Sequence, residues 1–116
     1  MAENYFELVG RIGWLDYKIT DARTCICKIN LGCKKDKENY ENFFITFLGN
    51  LESKRNIAEN FADMCKKGDY VRVKGSLRID KFTPKGASEP VERLSLIGWS
   101  FNHVEFDEGR RCFVDV

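Results

Sequence analysis

Three features of this 116-residue chain predict an all-β fold with a single helix. Apolar and polar residues alternate in two stretches, Thr24 to Leu31 and Tyr70 to Phe82, as half-buried strands require. Between residues 51 and 67 the period changes, and Ile57, Ala58, Phe61, Met64 and Cys65 recur three and four apart as one helical stripe. Glycine- and proline-bearing clusters punctuate the rest. With 43% hydrophobic and 13% aromatic residues, the chain can bury one core but not two, because much smaller domains struggle to offset chain entropy.

Residues 5–13, Tyr-Phe-Glu-Leu-Val-Gly-Arg-Ile-Gly, read as a first strand whose glycines permit a bulge or bend, so that it can serve two sheets. Thr24 to Leu31 is the second strand, and Cys33 to Asn42 is polar enough to read as a loop. Phe43 to Leu48, dense in aromatic and β-branched residues, is the third strand, stopped by Gly49-Asn50. The helix follows, with Lys66 and Lys67 suited to its C-terminus and Gly68 to its termination. Tyr70 to Phe82 is the fourth strand, and after a turn-rich loop from Thr83 to Pro90, Val91 to Phe106 supplies the last strand or strands. This is the order of a five-stranded OB-fold Greek-key barrel with its helix between strands 3 and 4. An SH3-like barrel offers no natural place there for a helix of about 15 residues. Residues 1–106 are expected to form the domain and 107–116 a short C-terminal extension.

No stretch approaches the roughly 18 apolar residues a membrane-spanning helix needs, and the start Met-Ala-Glu-Asn-Tyr does not read as an export leader. Five irregularly spaced cysteines, Cys25, Cys27, Cys33, Cys65 and Cys112, argue against a disulfide framework and for a reducing, cytoplasmic setting. Net charge is only +1, but it averages two surfaces. Acidic residues gather between Glu38 and Asp63, whereas Lys66, Lys67, Arg72, Lys74, Arg78, Lys81 and Lys85 form a basic run.

Catalysis needs convergent polar groups, and the chain has a single histidine, His103, within an alternating strand. Cys25 and Cys27 share one strand face, where apolar packing explains them better than metal binding, and Cys-x-Cys-x5-Cys matches no zinc pattern. There is no phosphate-binding glycine loop. The expectation is a protein that is not an enzyme and needs no cofactor or metal.

The fourth strand carries the strongest signal. Val71, Val73, Leu77 and Ile79 are expected to face a core, while Arg72, Lys74, Arg78 and Phe82 face outward with Ser76 and Asp80 between them. Charges alone would mean only solubility. An aromatic beside them is what a single nucleic-acid strand requires, a flat surface for bases and positive charge for phosphates. On the third strand Phe43, Ile45 and Phe47 should fill the core, leaving Phe44 and Leu48 outside, either for ligand or for a partner subunit. Lys34, Lys35, Lys37 and Lys85 lie in loops that would flank the groove, and Trp14 and Trp99 are either further platforms or core residues.

The segment Lys67-Gly68-Asp69-Tyr70-Val71-Arg72-Val73-Lys74-Gly75-Ser76-Leu77-Arg78-Ile79-Asp80-Lys81-Phe82 resembles the pattern Lys-Gly-x-x-Val-x-Val-x-Gly-x-Leu-x-x-x-x-aromatic of the bacterial single-stranded DNA-binding proteins. Leu8-Val9-Gly10-Arg11-Ile12-Gly13 is similar to that family's opening strand and Phe43 to Gly49 to its third, so the likeness spans about residues 5–106. The resemblance implies that Phe82 stacks on DNA. Leu48 replaces an aromatic of the family pattern, and the tryptophan that usually follows the second strand is missing, with Tyr40 or Trp14 as candidates to compensate. The helical segment is several residues longer than the family's. The acidic tail that recruits repair enzymes is absent from this sequence, which ends Cys-Phe-Val-Asp-Val, so recruitment by that route is not expected.

The resemblance thus implies non-catalytic, largely sequence-independent binding and protection of single-stranded DNA in replication, recombination or repair, by a homo-oligomer, a tetramer or dimer. A protein-interaction or primosome OB module and an RNA-binding OB domain are the alternatives.

Overall fold

The computed structural model describes residues 4–54 and 56–116, so the first three positions of the expected domain lie outside the described residues. Six strands surround one short helix: β1 Tyr5–Ile19, β2 Thr24–Lys34, β3 Tyr40–Asn50, α1 Ile57–Met64, β4 Tyr70–Phe82, β5 Val91–Asp107 and β6 Cys112–Asp115. The sheet runs β3-β2-β1-β4-β5-β6, and a parallel pairing of Ile45, Thr46 and Phe47 with Leu96, Ile97 and Gly98 joins β3 to β5. That pairing closes the first five strands into a barrel and removes their free edges. The predicted OB-like class, with its helix between β3 and β4, is the one observed.

β1 serves two neighbours, as its glycines predicted. Tyr5 to Arg11 pairs with β4 and Arg11 to Ile19 with β2, with a register shift between Ile12 and Trp14. At Gly10 a Cβ would lie 2.4 Å from the Gly32 carbonyl oxygen, so the strands can approach this closely only without a side chain there. The bend is stitched to the turn before β4, where the Ile12 N–H donates to the Asp69 carbonyl (2.9 Å) and the Gly68 N–H to that of Ile12 (2.8 Å).

The first three strands are longer than their hydrophobic patterns suggested. β2 and β3 stay paired out to Lys34 and Tyr40, so most of the predicted loop from Cys33 to Asn42 is hairpin. Period-two hydrophobicity marks a strand only where one face is buried, and the hairpin end is largely solvated. Its turn is built on Asp36, whose carboxylate accepts from the Asn39 side-chain amide and the Glu38 and Asn39 backbone N–H groups. These bonds hold Asp36 below the usual carboxylate range, the Asn39 side chain contributing most.

The helix is shorter than predicted, eight residues rather than about 15. Asn56 starts it: its side chain accepts from the Glu59 N–H (3.1 Å) and donates to Glu59 Oε2 (3.3 Å) and Cys25 Sγ (3.0 Å). The cap satisfies an orphan helix donor, and Asn56 is buried beneath it. Cys65 extended the apolar stripe in sequence because it packs on the core from outside the helix. Lys66 and Lys67 fall in the following turn, where Gly68 adopts φ +97°.

Ile45 and Phe47 point inward and Phe44 and Leu48 outward, as predicted, with Phe43 partly buried against the core. Phe47 stacks on Phe61 at 4.4 Å, and Phe101 meets Phe61 edge-on at 4.8 Å. On β4, Val71 and Val73 are fully buried, but Leu77 only partly, and Ile79 is 60% exposed rather than in the core. Beyond Leu77, β4 and the start of β5 leave the barrel as a two-stranded arm, so Ile79 has no opposing layer to bury it. Residues 112–115 of the predicted extension form β6, where Phe113 stacks on Tyr70 (5.6 Å) and meets Phe106 edge-on (5.4 Å).

Cys25, Cys27, Cys33 and Cys65 are buried and unpaired, whereas Cys112 is exposed. Burial pushes the thiols of Cys27 and Cys33 up to about 11 and that of Cys65 up to about 12, because a thiolate there would lose its hydration. At pH 8 a thiol reagent is therefore expected to titrate Cys112 alone in the native protein and all five cysteines after denaturation. Fast native labelling of a second thiol would contradict the closed core.

Candidate nucleic-acid interface

The outer face of the barrel can be followed from strand to strand by register. Asp16 pairs with Lys28, Lys28 with Thr46, Thr46 with Ile97, and Ile97 with Ser76. These residues alternate with buried ones, so the row faces outward. One row towards the arm, Trp14 pairs with Asn30 and Asn30 with Phe44; the β3–β5 pairing ends at Ile45 and Leu96, and one pair beyond it Ser95 of β5 faces Arg78 of β4. Trp14 and Phe44 thereby share one cross-strand row, and Arg78 stands at the base of the arm, one pair beyond the point where β3 and β5 part.

Trp14 is 41% and Phe44 63% exposed, and their ring centroids lie 6.1 Å apart with planes tilted by 36°. Two adjacent rings held open to solvent form an apolar platform with unfilled faces. On the other side of the Lys28 row, Lys18, Ile26 and Leu48 make a third row, so Leu48 supplies an exposed aliphatic surface separated from the rings by the Lys28 row. Among the described residues Lys18, Lys28 and Arg78 stand in no ion pair. Trp99, also exposed, donates its indole N–H to Ser76 Oγ at 3.2 Å.

The basic stripe expected along β4 is divided by its partners. Arg72 is only 22% exposed at its side chain; it pairs with Asp115, donates to the Phe113 carbonyl (3.4 Å), and has Glu7 at 3.8 Å from Nε. Lys74 shares Glu7 at 3.6 Å. Phe82 lies ten residues from Arg72, about 33 Å along an extended strand. Arg72 and Lys74 therefore belong to a neutralised patch beside β6, and Arg78 and Phe82 to the arm.

On the arm, Phe82 is 39% exposed and the Arg93 guanidinium lies 4.8 Å from its ring centroid, a cation–π contact that leaves charge and ring side by side. Arg93 escaped the sequence reading because the arm pairing that brings it to Phe82 is tertiary; its register partner is Asp80. Lys85 lies in the arm's tip loop. At the β2–β3 hairpin, Lys34 pairs in register with Tyr40, one of the most exposed rings, whereas Lys35 is engaged by Glu41 at 3.6 Å.

His103 Nε2 lies 3.2 Å from Asp69 on a half-buried surface, an ordinary satisfied histidine. No group of three or more His, Cys, Asp or Glu among the described residues could hold a metal ion. No helix among them is long and apolar enough to cross a membrane.

No protein-family model matches this chain, and no curated protein matches it by sequence. Solved structures do match. Crystal structures of the Saccharomyces cerevisiae mitochondrial single-stranded DNA-binding protein Rim1 superpose with TM-scores of 0.60 and 0.63 at 18% and 19% identity, each match covering 89% of this chain and 96% of the other. At that identity the likeness establishes the shared fold.

Proposed function

We propose that this OB-fold barrel binds single-stranded DNA without catalysis and with little regard to sequence, protecting it during replication, recombination or repair. The observation that carries the reading is the row of Trp14 and Phe44, with Lys28 one row away, Arg78 at the base of the arm and Phe82 with Arg93 further along it. Every base presents a π-face, so exposed rings accept any base, while unpaired cations alongside neutralise phosphates. The structural likeness to single-stranded DNA-binding proteins supports the same reading.

Titration with oligo(dT) should quench tryptophan fluorescence, since Trp14 lies in the proposed platform, and binding should weaken as salt rises. Each phosphate contact to a single strand contributes about 0.7 to the slope of log affinity against log salt, so Arg78→Ala should reduce the slope by roughly that amount. Absence of binding at low salt would overturn the reading, and a tight complex with oligo(U) but not oligo(dT) would replace it with RNA binding.

The same reading includes a homo-oligomer, a dimer or tetramer. It is supported by the apolar cleft of about 770 Å³ between β1, the β2–β3 hairpin and β6, where Val9, Val104, Phe106 and Phe113 line a surface suited to another protein chain. Light scattering should return a multiple of the chain mass; a monomer at micromolar concentration would remove this element. Buried free thiols favour a reducing compartment, the cytoplasm.

A further inference from the structure

Next to the aromatic platform lies a cleft of about 380 Å³ to which no role has yet been attached. Arg11, Lys67, Asn30, Asn42, Tyr40 and Tyr70 line it, over a floor at Gly32. We propose that this cleft is a second nucleotide subsite of the strand-binding surface, taking one base against its tyrosines and a phosphate on Arg11 and Lys67. The proposal rests on the single-strand reading above and extends its path around the barrel.

Four observations support it. The cleft is continuous with the platform, because Asn30 lines it and is the register partner of both Trp14 and Phe44. Its charge suits an anion: two cations line it, no carboxylate does, and neither cation stands in an ion pair among the described residues. Its other groups suit a base. Tyr40 and Tyr70 are exposed rings, the second braced by Phe113 at 5.6 Å, and two side-chain amides offer both donors and acceptors.

The fourth observation is the floor. Gly10 is glycine because a Cβ there would strike the Gly32 backbone, but at Gly32 a Cβ would meet nothing nearer than 3.7 Å, and the backbone needs no positive φ. A strand-interior glycine weakens its strand, and where its own side-chain space is open it marks a bulge, a barrel corner or a place that a ligand or another backbone approaches closely. At Gly32 the atoms bordering that space are the Arg11 carbonyl and the Asn42 side-chain oxygen, both 3.7 Å away.

The test fills the cleft. Gly32→Val suits a strand and should leave the fold intact by circular dichroism, yet weaken oligo(dT) binding about tenfold, as expected for one stacked base. The Arg11→Gln/Lys67→Gln double variant should lower the salt slope by about 0.7, one single-strand phosphate contact. In amide NMR spectra of the wild-type chain, Gly32, Asn42 and Tyr70 should shift together with the Trp14 indole on adding oligo(dT). If the Trp14 indole shifts while those three amides do not, and the charge variant keeps the full slope, the subsite is overturned and the platform stands. If no signal shifts at low salt, the single-strand reading and the subsite fall together. Should Gly32→Val misfold, Gly32→Ala and the charge variant decide the question.

Discussion

Replacing Trp14 and Phe44 together by alanine is expected to weaken oligo(dT) binding by about 2–4 kcal/mol while barely moving the melting temperature. Each ring offers a base about 1–3 kcal/mol of stacking, and because their centroids are 6.1 Å apart the two losses will not simply add. Both rings stand on the solvent side of the barrel, so their removal opens no cavity. Anisotropy of a labelled oligonucleotide is the suitable measurement, since the variant loses one of its two tryptophans. Affinity unchanged within a factor of two would move the binding face away from β1–β3 and leave the arm, with Phe82 and Arg93, as the site.

Phe47→Ala should do the reverse. Phe47 is completely buried, stacks on Phe61 at 4.4 Å and lies 6.3 Å from the Phe101 ring. It also sets the closure of the barrel: a Cβ on Gly98 of β5 would lie 2.4 Å from its ring, so this glycine and this phenylalanine are fitted to one another. Truncating such a ring costs about 3–5 kcal/mol, a large part of the roughly 5–15 kcal/mol that stabilises a domain. Thermal unfolding should show a fall of roughly 10 °C or more. Phe44 and Phe47 are neighbours on one strand with opposite facings, and the pair of variants separates binding from folding within four residues.

Both expectations depend on facing, and facing was legible where the barrel buries one side. Val71, Val73, Ile45 and Phe47 alternate with outward residues because a core exists beneath them. Where the core ends the pattern misleads: Ile79 continues the alternation of β4 but stands in the arm, and the polar β2–β3 hairpin read as a loop because neither face is deeply buried. The helix was overextended at its end for a related reason, since Cys65 packs on the core without being helical. In each case local periodicity reports burial, and burial is set by what another segment supplies.

The site divides along the same line. Phe44, Leu48, Phe82 and Arg78 could be picked out as outward residues of suitable chemistry from their own strands. Their grouping could not, because only the strand pairings set Phe44 in one row with Trp14 and put Arg78 and Phe82 on the arm formed by β4 and β5. Nor could the withdrawal of Arg72, whose partners Glu7 and Asp115 come from opposite ends of the chain.

By itself the sequence determined the all-β class, the position of the helix and the inward and outward faces of the barrel strands, because alternation and helical period are local consequences of burying one side of an element. Only the tertiary structure decided which cations remain unpaired, which rings stand together and where an unfilled cleft opens, since each depends on strand registers and ion pairs between residues distant along the chain.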